Sequence, residues 1–257
     1  MQTTSSNASK HSSKFAPWMV KPKGISDCPN GLEYLAVLDQ LFVEQQVEMT
    51  EVITGVEGEN SYIVKNNIGE KIYFAQEHSD VLGRTICGHR RMFDITITDK
   101  EGNTVLQLFH PLACDYCCCP CWLQSIEVAT AGGTLLGKVI QKWSLWIPRF
   151  KVTNAHKKVI FRIKGPCCTC SCCCGSSDVQ FKLINPYDKS EVGYLSKYWS
   201  GLAKEVFTDA DNFGVSFPMD TDIKMKAVLL GAIILIDYMF FETNSLQNRA
   251  LLAAMLA

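Results

Sequence analysis

The sequence predicts a mainly β protein built from antiparallel strands that follow one another along the chain. Between about residues 32 and 207, short segments of alternating polar and apolar residues recur, separated by Asn, Asp, Gly and Pro. Of the 257 residues, 47% are hydrophobic and 10% aromatic, which suits a full core and excludes general disorder. One long apolar segment stands apart near the C terminus.

Four hairpins can be assigned in order, with turns at 66–69, 99–102, 154–157 and 185–188. Strands of alternating pattern flank each turn, which is typical of an antiparallel meander. Residues 32–49 fit a helix and a buried strand equally well. We predict a disordered polar tail over 1–27, a folded domain over 28–242 and a short C-terminal tail over 243–257.

Composition excludes several classes of function. A net charge of −1 and a pI near 6.5 do not support DNA binding, and no P-x-x-P motif supports SH3 or WW partners. The five histidines lack a nucleophile at a telling spacing, and no glycine-rich phosphate loop is present, so an enzyme is the least favoured class. No secretory signal is readable, and we expect the thiols to be reduced.

The 13 cysteines are concentrated in two clusters, 114–121 and 167–174. Two C-x-x-C pairs, Cys114/Cys117 and Cys167/Cys170, would allow a tetrathiolate zinc site. Eleven clustered thiols exceed the needs of one zinc ion, and crowded cytosolic cysteines also suit S-acylation. Acylation is the favoured interpretation, with zinc binding and an inert turn-rich segment as the alternatives.

Basic residues without any interrupting Asp or Glu occupy the segment between the two clusters. Near an anionic leaflet each contributes ~1 kcal/mol, and acyl chains plus a basic patch supply the two signals that stable attachment needs. The alternative is that these side chains are spread around a barrel wall. The predicted membrane-surface residues are Lys138, Lys142, Arg149, Lys151, Lys157, Lys158, Arg162 and Lys164.

An acidic segment near residue 210 resembles an EF-hand loop in its spacing. Asp209, Asp211 and Asp220 fall at loop positions 1, 3 and 12, with Gly214 at position 6. Phe213, Val215 and Phe217 could contribute only backbone carbonyls. The sequence therefore predicts a weak Ca²⁺ site, and an acidic loop that caps the following helix is the alternative.

Several of these motifs together resemble the phospholipid scramblase family. The run Cys117, Cys118, Cys119, Pro120 and Cys121 is similar to that family's palmitoylated motif, and the segment from Asp209 to Asp220 to its calcium loop. The segments 31–35, 193–201 and 224–242 match further parts of the family. The likeness covers about residues 29–242. Trp122 stands where some members have another cysteine, and the proline-rich N-terminal region of longer members is missing.

The resemblance implies calcium-stimulated, ATP-independent movement of phospholipids between leaflets. It implies a closed antiparallel β-barrel of the Tubby-like type with a central hydrophobic C-terminal α-helix. We expect attachment to the cytoplasmic face of the plasma membrane through palmitate, and a nuclear or cytosolic location without it. The segment 193–202 is similar to the family's nuclear-import stretch, which would make an import receptor a partner. The alternative function is a membrane-tethered lipid or phosphoinositide-binding or nuclear regulatory module without translocation.

The apolar segment Ala227–Phe241 is difficult to place in a membrane. As a helix its 15 residues span ~22 Å, less than the ~30 Å hydrocarbon core, and Asp237 would be costly in lipid. A helix that fills a barrel explains the length and the all-round apolarity, and this is the favoured prediction. The predicted helix residues are Ala227, Leu229, Leu230, Ile233, Ile234, Asp237, Phe240 and Phe241.

Overall fold

Twelve antiparallel strands form a closed barrel in a computed structural model of the chain. The structure describes residues 16–25, 28–46, 59–80, 91–113, 122–167, 179–198 and 212–241. The strands are β1 (Gln40–Gln46), β2 (Ser61–Lys65), β3 (Lys71–His78), β4 (Phe93–Thr98), β5 (Thr104–His110), β6 (Ser125–Thr130), β7 (Leu135–Lys142), β8 (Arg149–Asn154), β9 (Val159–Lys164), β10 (Val179–Ile184), β11 (Glu191–Tyr198) and β12 (Asn212–Ser216).

Each strand pairs with its neighbours in sequence, and β12 closes the barrel against β1, with Val43 opposite Phe213. The predicted mainly β, closed antiparallel barrel is confirmed, as are all four predicted hairpins. The ambiguous segment 32–49 contains a short 3-10 helix, Glu33–Val37, followed by β1. The sequence analysis did not predict β6, β7 and β12.

A single α-helix among the described residues, α1 (Ile223–Phe240), fills the barrel. Every residue from Met225 to Tyr238 is buried, which confirms the prediction of a central hydrophobic helix. At Gly231 the helix backbone approaches the barrel wall, since a Cβ there would lie 2.7 Å from a methyl of Val128. No helix within the described ranges combines the length and apolarity needed to cross a bilayer.

Two buried charged groups hold the two ends of α1. Near the first turn, the ammonium of Lys226 donates hydrogen bonds to the carbonyls of Leu35, Leu38 and Met219 at 3.0, 2.6 and 2.9 Å. Near the last turn, the guanidinium carbon of Arg91 lies 4.6 Å from the ring centroid of Tyr238. Arg91 also pairs with Glu77 of β3 at 2.7 Å, and both side chains are 1% exposed. These contacts therefore fix the position of α1 along the barrel axis, in addition to its packing against the core.

Residues 16–25 lie N-terminal of the predicted domain boundary at 28. Trp18 forms a parallel bridge with Lys71, and the amide of Met19 donates to the Lys71 carbonyl at 2.8 Å. The partly buried side chain of Met19 packs against the core. Part of the predicted polar tail therefore lies against the barrel, whereas residues 1–15 are outside the described residues.

The antiparallel order gives the barrel two different ends. The connections β2–β3, β4–β5, β6–β7, β8–β9 and β10–β11 are tight turns at one end, here called the turn end. The connections β3–β4, β5–β6, β7–β8 and β9–β10 leave from the opposite end, here called the rim end, as does the chain after α1. Both cysteine clusters fall in connections of the rim end.

Candidate functional site

The outer surface of β7–β10 carries a compact set of basic side chains, here called the cationic wall. In the first cross-strand row, Lys142 lies opposite Arg149, Arg149 opposite Lys164, and Lys164 opposite Lys182. In the next row, Lys151 lies opposite Arg162. Residues directly opposite share one face of a sheet, and residues two apart along a strand share it too. The six cations therefore point to the same side of the barrel.

The strand pattern explains why the wall faces outward. Phe150, Val152, Phe161 and Ile163 alternate with the basic residues of β8 and β9, and all four are buried in the core. Because successive side chains of a strand point to opposite faces, burial of these four residues directs the cations outward. The hydrophobic core thus fixes the position of the charge.

Among the described residues, most of the wall's charge is not neutralised. Lys182 pairs with Glu191 at 2.8 Å, but across the described ranges no carboxylate lies within ion-pair distance of the other five members. The pKa of Lys151 is lowered, first by the amine of Lys142 within hydrogen-bonding range and by its charge, then by burial and Arg162. Like charges placed directly opposite destabilise a sheet, and a bound anion would relieve that repulsion.

A surface groove of about 590 Å³ lies within this wall. Ile184 and Trp143 contribute apolar surface to its lining, whereas the side chains of Phe150 and Ile163, which also border it, are 1% exposed and face the core. Five members of the wall and Lys189 supply its polar lining. Amines and guanidinium groups beside this apolar surface suit a phosphate ester attached to a hydrophobic body.

The structure brings together five of the eight predicted basic residues: Lys142, Arg149, Lys151, Arg162 and Lys164. Lys138 is neutralised by Glu127 across the sheet at 2.8 Å. Lys157 and Lys158 lie in the β8–β9 turn at the turn end, and the Lys158 amine is 5.7 Å from the ring centroid of Tyr187. Five of the eight residues therefore lie together and three lie apart, and their role at a membrane surface stays a prediction.

Lys182 and Lys189 were missed by the sequence analysis, which stopped at the second cysteine cluster. Lys182 lies in the first strand of the predicted hairpin 179–195, at an exposed position of the alternating pattern. Extending the outward-facing positions onto the next strand would have found it. Lys189 follows the β10–β11 turn with a positive φ of 61°, and no sequence signal predicted its approach to the groove.

Of the predicted calcium loop, the structure describes residues 212–220, which begin in strand β12, and the Ca²⁺ site stays a prediction. Phe213 and Val215 lie in β12, paired on both sides with β1 and β11, so their carbonyls face neighbouring strands. Phe217 is buried, and Asp220 follows at the turn end. An EF-hand loop wraps around one ion, whereas residues 212–216 form an extended strand, so Asp220 is separated from residue 212 by the length of that strand. Asp209 and Asp211 lie outside the described residues.

The cysteine predictions fall largely outside the described residues, which exclude Cys117, Cys118, Cys119 and Cys121. Cys167, the first residue of the second cluster, is exposed just beyond the rim end of β9. Within the ranges that the structure describes, no group of three or more His, Cys, Asp and Glu side chains could hold a metal ion. Acylation and zinc binding both stay predictions.

The segment similar to a nuclear-import stretch is part of the barrel up to Tyr198. Lys197, its one basic residue, is 3% exposed in β11. Its amine lies 5.1 Å and 5.0 Å from the ring centroids of Phe213 and Phe241. This lysine is therefore inside the folded domain and not on its surface.

Comparison with known proteins identifies the family. The family model described as Scramblase matches residues 19–243, and the chain therefore belongs to the scramblase family, as the sequence analysis predicted. It is 46% identical to phospholipid scramblase 1 of Homo sapiens over 233 residues, which are 91% of this chain and 72% of that protein. It is 48% identical to phospholipid scramblase 2 of Bos taurus over 226 residues, 88% of this chain and 76% of that one.

Two further comparisons, one with a relative and one with a solved structure, differ in what they contribute. The chain is 46% identical to phospholipid scramblase family member 5 of Homo sapiens over 214 residues, or 83% of this chain and 78% of that protein. Among solved structures, an X-ray structure of a protein from Arabidopsis thaliana matches 80% of this chain and 94% of that one, at 15% identity and a TM-score of 0.41. That similarity is too low to bear on the fold or the site.

Proposed function

We propose that this protein moves phospholipids between the two leaflets of a membrane, in response to calcium and without ATP. Membership of the scramblase family, with relatives up to 49% identical that are named phospholipid scramblases, is the observation that supports phospholipid movement most strongly. The protein is a lipid translocator in this proposal and breaks no covalent bond.

The cationic wall would hold the protein against the anionic cytoplasmic leaflet of the plasma membrane. Its unneutralised cations each contribute ~1 kcal/mol close to such a surface. Basic attraction alone is one signal, and stable attachment needs a second. Palmitate on Cys117, Cys118, Cys119 and Cys121 would supply that signal, and the unacylated protein would be free to enter the cytosol or nucleus.

Calcium would act through the acidic segment that precedes β12. Asp209 and Asp211 offer hard oxygen ligands, which suit Ca²⁺. Because Phe213 and Val215 are held in β12, the segment would have few additional protein ligands, and we expect weak binding. In the sequence, these two aspartates directly precede β12, the last strand of the barrel.

A transport assay with the purified full-length chain tests the proposal. The protein is reconstituted into phosphatidylcholine and phosphatidylserine vesicles that carry a fluorescent lipid, and a membrane-impermeant reductant bleaches the outer leaflet. Added calcium should let the reductant reach more than the outer-leaflet fraction, without ATP. Bleaching that stops at the level of protein-free vesicles would contradict the proposal. The Asp209→Asn, Asp211→Asn variant should keep any basal transport and lose the response to calcium.

The enclosure of α1 favours a second candidate, a membrane-tethered lipid-binding module without translocation. The helix has no exposed apolar face over Met225–Tyr238, so a path for lipid along it would require the barrel to open. The same vesicles distinguish the two functions. Binding to anionic vesicles with no bleaching beyond the outer leaflet would support the module, whereas calcium-dependent bleaching would exclude it.

A further inference from the structure

Large apolar side chains are exposed along one arc of the rim end. They lie just before β4, just after β5, just before β6, and in the β7–β8 connection, and these five strands are consecutive around the barrel. We call this set the apolar rim. Its members, with their exposed fractions, are Met92 (58%), Leu112 (54%), Trp122 (63%), Trp143 (52%), Leu145 (60%) and Trp146 (76%).

The apolar rim is continuous with the cationic wall. Trp143, Leu145 and Trp146 belong to the connection that joins Lys142 to Arg149, two members of the wall that lie opposite each other. Beside this connection, the amide of Gly165 donates to the carbonyl of Pro148 at 2.8 Å, which ties it to the end of β9. The two features therefore form one surface with an apolar edge and a positively charged flank.

We propose that the apolar rim inserts into the headgroup region of an anionic phospholipid bilayer and orients the barrel with its rim end toward the membrane. The proposal deepens the membrane role proposed above and depends on it for the partner. Exposed apolar patches rimmed by polar residues mark interaction sites. Tryptophan favours the membrane interface because its ring is apolar and its N–H can stay hydrated.

Charge complementarity favours a bilayer over a second copy of the chain. A symmetric dimer formed through the rim would bring two cationic walls close together, and their like charges would repel. An anionic bilayer instead attracts the wall while the rim enters the lipid. Rim insertion adds apolar burial, which salt does not screen, to an attraction that salt does screen. The orientation also places exposed Cys167 on the side that faces the lipid.

Vesicle binding by the purified, unacylated full-length chain tests this inference. Partitioning is measured on phosphatidylcholine vesicles with and without phosphatidylserine, and quenching of tryptophan fluorescence is measured with brominated lipid. The wild-type protein should bind the anionic vesicles and be quenched. The Trp143→Ser, Trp146→Ser variant should lose partitioning on the order of tenfold or more, because each side chain contributes apolar burial.

A matched pair of single variants provides the control. Leu145→Ser should weaken partitioning, whereas Ile68→Ser, which removes a side chain that is 68% exposed in the β2–β3 turn, should not. All these positions lie in exposed connections, and unchanged thermal melts would show that the variants fold.

Three outcomes would overturn the proposal. The first is that the double variant partitions as strongly as the wild-type protein, and the second is that lipid-bound wild-type protein shows no quenching. The third is that light scattering shows a dimer of the wild-type protein and a monomer of the double variant. The transport assay is read separately. Vesicle binding that depends on the rim, without lipid transport, would contradict the proposed function and support the docking proposal. Equal transport by the wild-type protein and the double variant would support the proposed function and contradict the docking proposal.

Discussion

The two ends of the barrel differ in how their chain segments are held. At the turn end, five short connections are closed by local hydrogen bonds, and each contains a residue of positive φ: Gly69, Gly102, Gly133, Lys157 and Lys189. Side-chain oxygens complete several of them, as when Asp99 accepts from the amides of Glu101 and Asn103 at 3.0 and 2.8 Å. At the rim end, most connections are longer, and they carry the cysteine clusters and the exposed tryptophans, while strands β7–β10 carry the cationic wall beside them.

The turn end therefore determines the fold, whereas the rim end carries the residues of the proposed membrane contact. The tight turns set the register of each hairpin through a bulge beside the turn, for example between Ile97 and Thr98. The connections of the rim end do not set the register of a hairpin, so their residues are available for the proposed contact with lipid. The helix α1 links the ends, with Lys226 held near the turn end and Tyr238 against Arg91 near the rim end.

Removal of α1 should have the largest effect, because both ends depend on it. A chain that ends at Asp222 should lose its cooperative thermal transition and aggregate. One buried Leu, Ile or Phe contributes ~1.5–3 kcal/mol, and a domain is stable by only ~5–15 kcal/mol. A chain that ends at Phe241 is the control and should still melt cooperatively. A protease-resistant barrel in the shorter chain would contradict the plug and reinstate a separable helix.

Replacement of Lys226 by Met should have the next largest effect. The apolar side chain has a similar length, but three carbonyls lose their donor, two of them in buried hydrogen bonds, and each buried group left unsatisfied costs ~1–3 kcal/mol before relaxation. We expect a loss of roughly 2–4 kcal/mol in the free energy of unfolding, measured by urea denaturation. Lys224→Met is the matched control, since Lys224 is exposed one residue from the buried Met225. Equal stability of the two variants would show that the Lys226 hydrogen bonds are dispensable.

Much of the fold was predictable because each connection at the turn end is determined by residues that are adjacent in the sequence. The turns that begin at Asn66, Asp99, Asn154 and Asn185 are readable in the sequence, and the alternation beside them identifies the strands. The β6–β7 hairpin was missed although its turn, Thr130–Gly133, is rich in glycine. The strand β12 was missed because its acidic neighbours suggested a loop, whereas its pairing with β1 depends on residues about 170 positions away.

The candidate site was less predictable because it is built across strands. The residues Lys142, Arg149 and Lys164 meet through register, which depends on the bulges and not on sequence spacing. Lys138 belongs to the same basic run, but Glu127 lies directly opposite and neutralises it. The apolar rim had no periodic signal, since its members come from three different connections.

Removal of two cations should weaken binding to anionic vesicles when they lie in the cationic wall, but not when they lie at the turn end. The Arg149→Ala, Lys164→Ala variant should bind phosphatidylserine vesicles on the order of thirtyfold more weakly, since each cation contributes ~1 kcal/mol near the surface. The effect should shrink at high salt. Vesicle co-sedimentation over a lipid titration measures it. The Lys157→Ala, Lys158→Ala variant removes the same charge from the turn end and should bind as wild type does. Equal losses in both variants would mean that net charge, and not the wall, governs binding.

The smallest expected effect concerns the strain of one turn. Lys157 has a φ of 61°, whereas the equivalent turns have glycine at positions 69, 102 and 133. An L-residue in the left-handed region costs roughly 1–2 kcal/mol, and glycine loses about 0.5–1 kcal/mol through its greater unfolded-state entropy. Lys157→Gly should therefore stabilise the barrel by about 0.5–1 kcal/mol, measured as a higher urea midpoint with an unchanged slope. Ala155→Gly, in the same turn at ordinary φ, should be neutral or destabilising. Vesicle binding should not change in either variant, and a change would show that the turn end also contacts lipid.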